Sequence, residues 1–273
     1  KEKIDHKVFE RLNKKFEKFI KDNFSLEKTL FISISSRWIF NKRNIKFFKN
    51  RLLNFHSSRL PYFKGGATFS WQILCGDRIH STCLHLVDKT VDGGPIVFSQ
   101  QSIFPSHCKT PKDYQDYDLC QLYICYEKFL KKILKKEHFT LKHQPKYIGN
   151  YFPRLSTLKD SWIDWEMNPD DVIKFINAFD TPFKGSGTCL TRFNKKKFFI
   201  KKAHLHEGEI SKHPLMTGLV IRNDKNWIVV ALSSKSHTLL IEKVNNIKGN
   251  NILSKIKAGD RFFTPHKFIE SSR

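Results

Sequence analysis

The sequence predicts an α/β protein in which a parallel sheet with helices is followed by a small carboxyl-terminal β-barrel domain. In residues 1–150, short apolar runs typical of buried strands alternate with stretches whose apolar residues recur with the helical period. From about Thr188 the pattern changes to short alternating strands separated by turns rich in Lys, Asn, Gly and Ser. We therefore expect a domain at 1–150, a linker with one helix at 151–187 and an open barrel at 188–273.

Helices and strands are expected to alternate at the start of the chain. Apolar residues with the helical period at 4–21 indicate a surface helix on a sheet. The apolar and β-branched run at 29–35 and the run at 52–56 are typical of buried strands. A pair of glycines after the second run allows a tight turn into a helix at about 69–74.

The next part of the chain predicts two strands and a long helix. The strands cover 82–87 and 95–100, and the helix runs over about 114–136. Apolar residues of this helix fall on one stripe, which we expect to face the core. The stripe consists of Leu119, Leu122, Tyr126, Phe129, Leu130 and Ile133.

Local signals also define the carboxyl-terminal part. Asn168 is a good N-cap and Pro169 suits the first helical position, which predicts a helix to about Phe179. The alternating strands of the barrel follow. The barrel strands are predicted at 197–202, 218–222, 227–232 and 238–244.

The chain is strongly basic. Its 49 Lys and Arg residues exceed its 26 Asp and Glu residues, for a formal net charge of +23. Such a charge favours polyanionic partners such as nucleic acid or nucleotide diphosphates. Lys, Phe, Ile and Asn are over-used together, as in coding sequence biased toward A and T, so the charge alone does not specify nucleic acid.

Other sequence features point to a cytoplasmic protein without metal. No run of about 18 apolar residues exists, and the first residues lack the apolar centre of a secretory signal. Cys120 and Cys125 lie near His138 and His143, but their spacing is wrong for zinc. The cysteines, without a Cys-x-x-Cys, are expected to be reduced. They are Cys75, Cys83, Cys108, Cys120, Cys125 and Cys189.

A polar cluster around Asn54 and His56 indicates an active site. The two residues lie two positions apart at the end of an apolar run, so their side chains should point to the same face of a strand. A carboxylate that could complete the set, Asp92, lies downstream in a Val-Asp-Gly-Gly turn. Between them come a Ser-x-Leu-Pro segment and a Lys-Gly-Gly step.

This arrangement resembles the folate-dependent formyltransferases, which include methionyl-tRNA formyltransferase and the sugar-nucleotide amine N-formyltransferases. The resemblance rests on Asn-x-His-x-Ser-x-Leu-Pro, a glycine-rich step and an Asp-x-Gly in family order. It implies a Rossmann-like catalytic sheet and a last strand at 259–262 that closes the barrel. Among partners, we also expect compatibility with a homodimer. Family members begin with a strand-helix-strand-helix unit before the first helix here, so about the first third of that domain is expected to be missing from this sequence.

The resemblance also implies site residues. The cosubstrate would be 10-formyltetrahydrofolate. Ser58 is expected to support the loop that contains it rather than act as a nucleophile. Folate contacts are implied at Ser36, Arg37, Trp38, Ile39, Val91 and Gly93. Contacts with the amine substrate are implied at Ser58, Leu60, Pro61, Lys64, Gly65 and Gly66.

Formyl transfer to an amine sets three tasks that these residue types suit. The amide of Asn54 carries two hydrogen-bond donors for a developing oxyanion. The imidazole of His56 can shuttle a proton near neutral pH. The carboxylate of Asp92 can orient that imidazole and favour its protonated form. His80 and His85 lie near Asp92 in sequence, and His85 alternates with leucines as an ordinary strand residue would.

Three functions fit these observations. They are a sugar-nucleotide amine N-formyltransferase, a methionyl-tRNA formyltransferase and a non-catalytic basic binding protein derived from such an enzyme. The run at 65–71, which ends in Trp71, is closer to the sugar enzymes than to the Gly-Ala-Ala-Pro run usual in the tRNA enzymes. We therefore favour a nucleotide-linked amino sugar over an aminoacyl-tRNA as the formyl acceptor. The positive charge and the barrel, in contrast, favour the tRNA.

Overall fold

The computed structural model describes residues 6–36, 38–193, 196–208 and 211–271. Two compact units can be distinguished, and neither is continuous in sequence. The first consists of the chain up to Gly65 together with His80–Ser102 and Gln121–Tyr151. The second consists of Gly66–Ile79, Ile103–Cys120 and the chain from Phe152 onward. The boundaries at 150 and 188 stay a prediction.

Six α-helices occur in the described part of the chain. They are α1 (Lys14–Asn23), α2 (Lys42–Phe47), α3 (Thr68–Leu74), α4 (Pro111–Leu134), α5 (Pro169–Ala178) and α6 (His266–Glu270). The predicted helices α3, α4 and α5 are confirmed. At α5 the Asn168 side chain accepts a hydrogen bond from the backbone N–H of Asp171, as the N-cap signal predicts.

The first predicted helix is shorter than expected. Residues 6–13 are not helical, although Val8 and Leu12 fit the helical period. The Asn13 side chain accepts from the backbone N–H groups of Lys15 and Phe16 and therefore starts the helix there. Residues 4 and 5 lie outside the described part of the chain.

Four strands form the sheet of the first unit. They are β1 (Phe31–Ile34), β2 (Leu52–His56), β4 (Ile79–Leu86) and β5 (Ile96–Ile103), in the order β1-β2-β4-β5, while β3 (Phe63–Gly65) pairs with β6 (Asn150–Phe152). Strand β2 is parallel to β1 and antiparallel to β4. This antiparallel register puts Asn54 opposite His85 and His56 opposite Cys83.

The sheet is therefore mixed, and the prediction of a parallel sheet holds for the β1–β2 pair. A parallel neighbour needs a crossover connection, usually a helix that packs back on the sheet. The helix between β2 and β4 is α3, and it belongs to the second unit. Strand β4 runs antiparallel to β2.

The core of the first unit lies on one face of β2 and β4. Leu53, Phe55 and Leu84 pack there against Cys125 and Phe129 of α4. Because side chains alternate along a strand, this leaves Asn54 and His56 on the other face of β2. The hydrophobic core thus supports the candidate catalytic pair from behind.

The expected core stripe of α4 is wrong at several positions. Phe129 is buried, but Leu119 is 54% exposed and Tyr126 and Ile133 are also exposed. The buried positions include Asp118 and Cys125 instead. Apolar residues of α4 occur on several of its faces, so the sequence pattern does not identify the face that packs against the core.

The second unit contains two antiparallel four-stranded sheets. Their strands are β7 (Ser186–Leu190), β8 (Lys197–Ile200), β9 (Ala203–His206), β10 (Val220–Asn223), β11 (Ile228–Ala231), β12 (Thr238–Ile241), β13 (Val244–Asn246) and β14 (Phe262–Phe263). One sheet has the order β10-β11-β12-β9 and the other β13-β8-β7-β14. The carboxyl-terminal domain of antiparallel strands is confirmed, but these strands do not close into a barrel.

The four predicted barrel strands appear as β8, β10, β11 and β12. Strand β9 was not predicted, because the sequence contains no turn signal that separates it clearly from β8. The expected closing strand at 259–262 is reduced to β14, which pairs with β7. Within the described residues, no helix is long and apolar enough to cross a membrane. All six cysteines are free thiols.

Candidate active site

His56 is held at the end of β2 by two neighbours of its own unit. Its side chain is buried, and its Nε2 lies 2.7 Å from the carbonyl oxygen of Phe63 and 2.7 Å from Ser58 Oγ. The Ser58 hydroxyl donates its hydrogen to Phe63 O at 2.7 Å. Both neighbours of Nε2 can therefore only accept, and His56 carries a hydrogen on this nitrogen.

Asp92 lies on the other side of the imidazole. Its Oδ2 is 3.7 Å from His56 Nδ1, longer than a hydrogen bond, and accepts from the backbone N–H of Gly65 at 2.8 Å. Its Oδ1 is 3.6 Å from His85 Nε2. Orientation of the His56 ring thus comes from Phe63 and Ser58, whereas Asp92 acts on it through charge.

The pKa of Asp92 is lowered from its usual value. Burial would raise this pKa, but the contact with His85, the proximity of His56 and the hydrogen bond from Gly65 together outweigh burial. The carboxylate is therefore charged at neutral pH. It can stabilise a positive charge on the neighbouring imidazole.

The Asp92 loop adopts an uncommon backbone conformation. Asp92 has a φ of 51°, in the left-handed region that non-glycine residues rarely occupy. Gln144 Nε2 donates to the carbonyl oxygens of Asp92, at 2.8 Å, and Gly94, at 2.7 Å. These two bonds hold the strained turn. The sequence motif missed Gln144 because it lies 52 positions from Asp92 in a stretch without a recognisable pattern.

We expect replacement of Gln144 by Ala to loosen this loop. Loss of two hydrogen bonds should cost about 1 to 2 kcal/mol locally. The amide of Gly65, which donates to Asp92, should then exchange with deuterium roughly 5- to 30-fold faster. Hydrogen exchange measured by NMR checks this, with Gln101→Ala at an exposed position of β5 as the control. Equal exchange rates in both variants would contradict the role of Gln144.

Asn54 faces a second histidine. His85 is 3% exposed, and its Nε2 lies 3.3 Å from Asn54 Nδ2. The His85 Nδ1 is 2.9 Å from the carbonyl oxygen of Leu86. In the sequence His85 looks like an ordinary strand residue. Only the antiparallel register of β2 and β4 brings it to Asn54.

The implied folate contacts lie after β1 and in the Asp92 loop. Ser36 Oγ accepts from the backbone N–H of Trp38 at 3.1 Å, and the Trp38 and Ile39 side chains are exposed. Val91 is exposed next to Asp92. Gly93 follows in the same loop. Arg37 lies outside the described residues, and the folate contacts stay a prediction.

The implied substrate contacts occupy the segment after β2. Among them, Ser58 and Leu60 are buried, whereas Pro61, Lys64 and Gly65 are partly exposed. Gly65 has a φ of 99°, which suits glycine, and its N–H is used by Asp92. The backbone N–H of Gly66, in the second unit, donates to the carbonyl oxygen of Phe152 at 2.9 Å. Their contact with a substrate stays a prediction.

The site therefore combines an amide, an imidazole held at Nε2 and a charged carboxylate. Asn54, His56 and Asp92 come together in the first unit, although Asp92 is distant in sequence from the other two. Such a set can stabilise an oxyanion and move a proton. These are the requirements of acyl-type transfer to a nucleophile.

Comparisons with known proteins identify two matching family models. The model described as formyl transferase matches residues 3–115, and the model described as formyl transferase, C-terminal domain, matches residues 156–255. Together they cover most of the chain, including every candidate catalytic residue.

Two curated relatives cover most of this chain. The bifunctional polymyxin resistance protein ArnA of Wigglesworthia glossinidia brevipalpis is 26% identical over 245 residues, which are 84% of this chain and 36% of that protein. A methionyl-tRNA formyltransferase of Clostridium perfringens is 24% identical over 220 residues, 81% of this chain and 67% of the relative. The chain thus spans about a third of the first relative.

Solved structures of similar fold include two sugar enzymes. A sugar 3N-formyl transferase, WlaRD, matches with a TM-score of 0.61 and 20% identity over 82% of this chain and 80% of its own. An N-formyltransferase from Helicobacter canadensis matches with a TM-score of 0.62 and 19% identity over 79% of this chain and 74% of its own. At these identities the likeness concerns the fold.

Proposed function

The chain belongs to the formyltransferase family, and we propose that it transfers a formyl group from 10-formyltetrahydrofolate to the primary amine of a nucleotide-linked amino sugar. The observation that carries this proposal is the convergence of Asn54, His56 and Asp92 in one unit. Their order and spacing match the motif of the family.

The chemistry exchanges one carbon–nitrogen bond for another. The neutral amine attacks the formyl carbon, negative charge develops on the formyl oxygen, and the bond to N10 of the folate then breaks. The amine loses one proton and N10 gains one, so the reaction needs no other co-reactant. An amide N–H of Asn54 would stabilise the oxyanion.

Proton transfer is assigned to Nδ1 of His56. The Nε2 nitrogen contacts Phe63 O and Ser58 Oγ, and Nδ1 is the ring nitrogen near the Asp92 carboxylate, so we assign to Nδ1 the uptake of the amine proton. Asp92, 3.7 Å from Nδ1, would stabilise the imidazolium without binding that nitrogen tightly. The proton can then pass to N10.

The residues present fit a folate cosubstrate. Exposed Trp38, Ile39 and Val91 are apolar surface that a flat ring system could cover. The buried Oε1 of Gln144, beside the Asp92 loop, has no hydrogen-bond partner among the described residues. A ring N–H of the ligand could satisfy it. We assign the pterin contacts to this region, with Ser36 and Gly93 contributing main-chain groups.

The choice of a sugar-linked amine rests on the run at 65–71 and on the similarity to the two sugar enzymes. An alternative acceptor is methionyl-tRNA. The net charge of +23 and the methionyl-tRNA formyltransferases among the curated relatives favour this alternative. Both acceptors present a primary amine, so the same three residues could serve either.

Salt dependence separates the two acceptors. A protein that binds tRNA contacts many of its phosphates. With six or more such contacts, the affinity of this chain for tRNA should fall roughly 10³-fold or more between about 50 and 200 mM salt. A sugar nucleotide offers only two phosphates. We expect formylation of a nucleotide-linked 4-amino sugar with a shallow salt dependence, measured as transfer of labelled formyl at several salt concentrations.

The same assay contains the contradicting results. Tight and steeply salt-dependent binding of initiator tRNA, with formylation of its methionyl group, would show that methionyl-tRNA rather than an amino sugar is the acceptor. No transfer to amino sugars or to methionyl-tRNA, despite folate binding, would overturn the proposed activity.

A further inference from the structure

We propose that two copies of this chain associate through an exposed apolar stripe of α4, with the two helices antiparallel. Part of this stripe was expected to lie in the core, and the structure leaves it exposed. The stripe contains none of the residues assigned to formyl transfer, so its tests do not depend on the proposed function.

The exposed apolar residues of α4 recur with the spacing of a seam between paired helices. The stripe consists of Leu119, Tyr123, Tyr126, Leu130 and Ile133, at intervals of four, three, four and three residues. Tyr123 is 69% exposed, and Leu130 is the one member that is mostly covered. Residues at these intervals lie in one row along a helix and can pack against a second helix. Because all five lie on one helix, helical geometry alone aligns them.

This stripe differs from the side of α4 that packs against the sheet. Cys125 and Phe129 are buried there in the core of the first unit. Tyr126 lies at the border, with its ring centroid 6.2 Å from that of Phe55, and is still exposed. The helix is therefore anchored on one side while its apolar stripe faces outward. Single exposed apolar residues are normal on a protein, whereas a continuous row of them indicates an interaction surface.

The charges on and just after α4 specify the antiparallel direction. Residues 111–118 contain three Asp and one Lys, whereas residues 128–136 contain five Lys and no acidic residue. Two antiparallel copies place the acidic end of each helix near the basic end of the other. Parallel copies would place like charges together. The chain has a net charge of +23, so two copies approach most easily where a surface carries both signs.

A twofold axis makes this stripe self-complementary. In such a dimer the same surface is used by both copies, and every contact occurs twice. With the axis between Tyr123 and Tyr126, Leu119 lies opposite Leu130 of the second copy, and Asp116 lies near the lysines at the end of its helix. One pair of helices buries less surface than a standard interface, so the dimer should be weak, with a dissociation constant in the micromolar range.

Sedimentation equilibrium at increasing protein concentration tests the interface. The wild type should show a monomer–dimer equilibrium. Tyr123→Glu introduces a carboxylate into the stripe and should raise the dimer dissociation constant roughly 10-fold or more, because two carboxylates then lose water on association. Tyr147→Glu is the matched control. It makes the same chemical change at a residue that is 88% exposed and lies outside α4, so it should leave the equilibrium unchanged.

A charge exchange tests the antiparallel direction. Asp116→Lys and Lys136→Glu each place like charges at both ends of the helix pair, and each should raise the dissociation constant roughly 3- to 30-fold. An equimolar mixture of the two variants should associate as the wild type does, because both contacts of the mixed dimer again join opposite charges. Both residues are exposed, so both variants should fold.

Three results would overturn the inference. A wild type that stays monomeric up to hundreds of micromolar would show that a second copy does not cover this stripe. Equal dissociation constants for Tyr123→Glu and Tyr147→Glu would place the contact elsewhere on the chain. A mixture of the two charge variants that associates no better than either variant alone would reject the antiparallel pairing. Formyl transfer enters none of these measurements.

Discussion

Replacing His56 by Ala should lower the turnover of formyl transfer by roughly 10² to 10⁴-fold, the usual contribution of a general acid–base group. The variant removes Nδ1, the nitrogen assigned to take the proton of the attacking amine. Binding of the folate should change little, since the assigned pterin contacts lie on other residues. Transfer of labelled formyl at saturating substrate measures the loss.

The fold should survive this change. Ser58 keeps its hydrogen bond to Phe63 O when the imidazole is absent, so no buried hydroxyl loses its partner. His138, which is exposed, serves as the control, and His138→Ala should retain normal turnover. A folded His56→Ala variant with near-normal turnover would disprove the assignment of His56.

The second large effect is expected at Asn54. Its replacement by Ala removes the donor for the oxyanion and should reduce turnover by about 10² to 10³-fold. Asn54→Asp retains the shape but replaces donors by a charged acceptor, so its loss should be at least as large. The loss should appear in kcat, because the developing charge exists only in the transition state.

The ratio of the turnover of Asn54→Asp to that of Asn54→Ala distinguishes hydrogen-bond donation by Asn54 from a packing role. If Asn54→Asp were clearly more active than Asn54→Ala, the residue would serve in packing rather than in donation. Circular dichroism and thermal unfolding of each variant distinguish unfolding of the protein from a lower turnover of the folded enzyme. Assays at equal concentrations of folded protein complete the comparison.

Features encoded within a few neighbouring residues were predictable. The Asn168 cap and Pro169 located α5, and the apolar run before Asn54 located β2, because capping groups and strand alternation act within one element. The same local alternation put Asn54 and His56 on one face. The motif then supplied Asp92, whose approach to His56 is observed in the fold.

Features that depend on pairing between distant segments were not predictable. Apolar residues surround α4, so only packing selected the face that contains Cys125 and Phe129. The antiparallel direction of β4 relative to β2 depends on pairing between distant segments, which no residue of β4 encodes. The open arrangement of the antiparallel strands likewise reflects which edges pair, since strand patterns specify faces rather than neighbours.

The sequence by itself indicated the family, the three candidate catalytic residues and the position of most helices and strands, because these depend on local chemistry and on a motif of short range. Only the tertiary structure decided what surrounds the trio. In the structure, Phe63 and Ser58 hold the His56 ring, and Gln144 donates hydrogen bonds to the Asp92 loop. His85 lies next to Asn54. Such partners are chosen by strand register and loop packing over long separations, and a linear pattern of residue types contains neither.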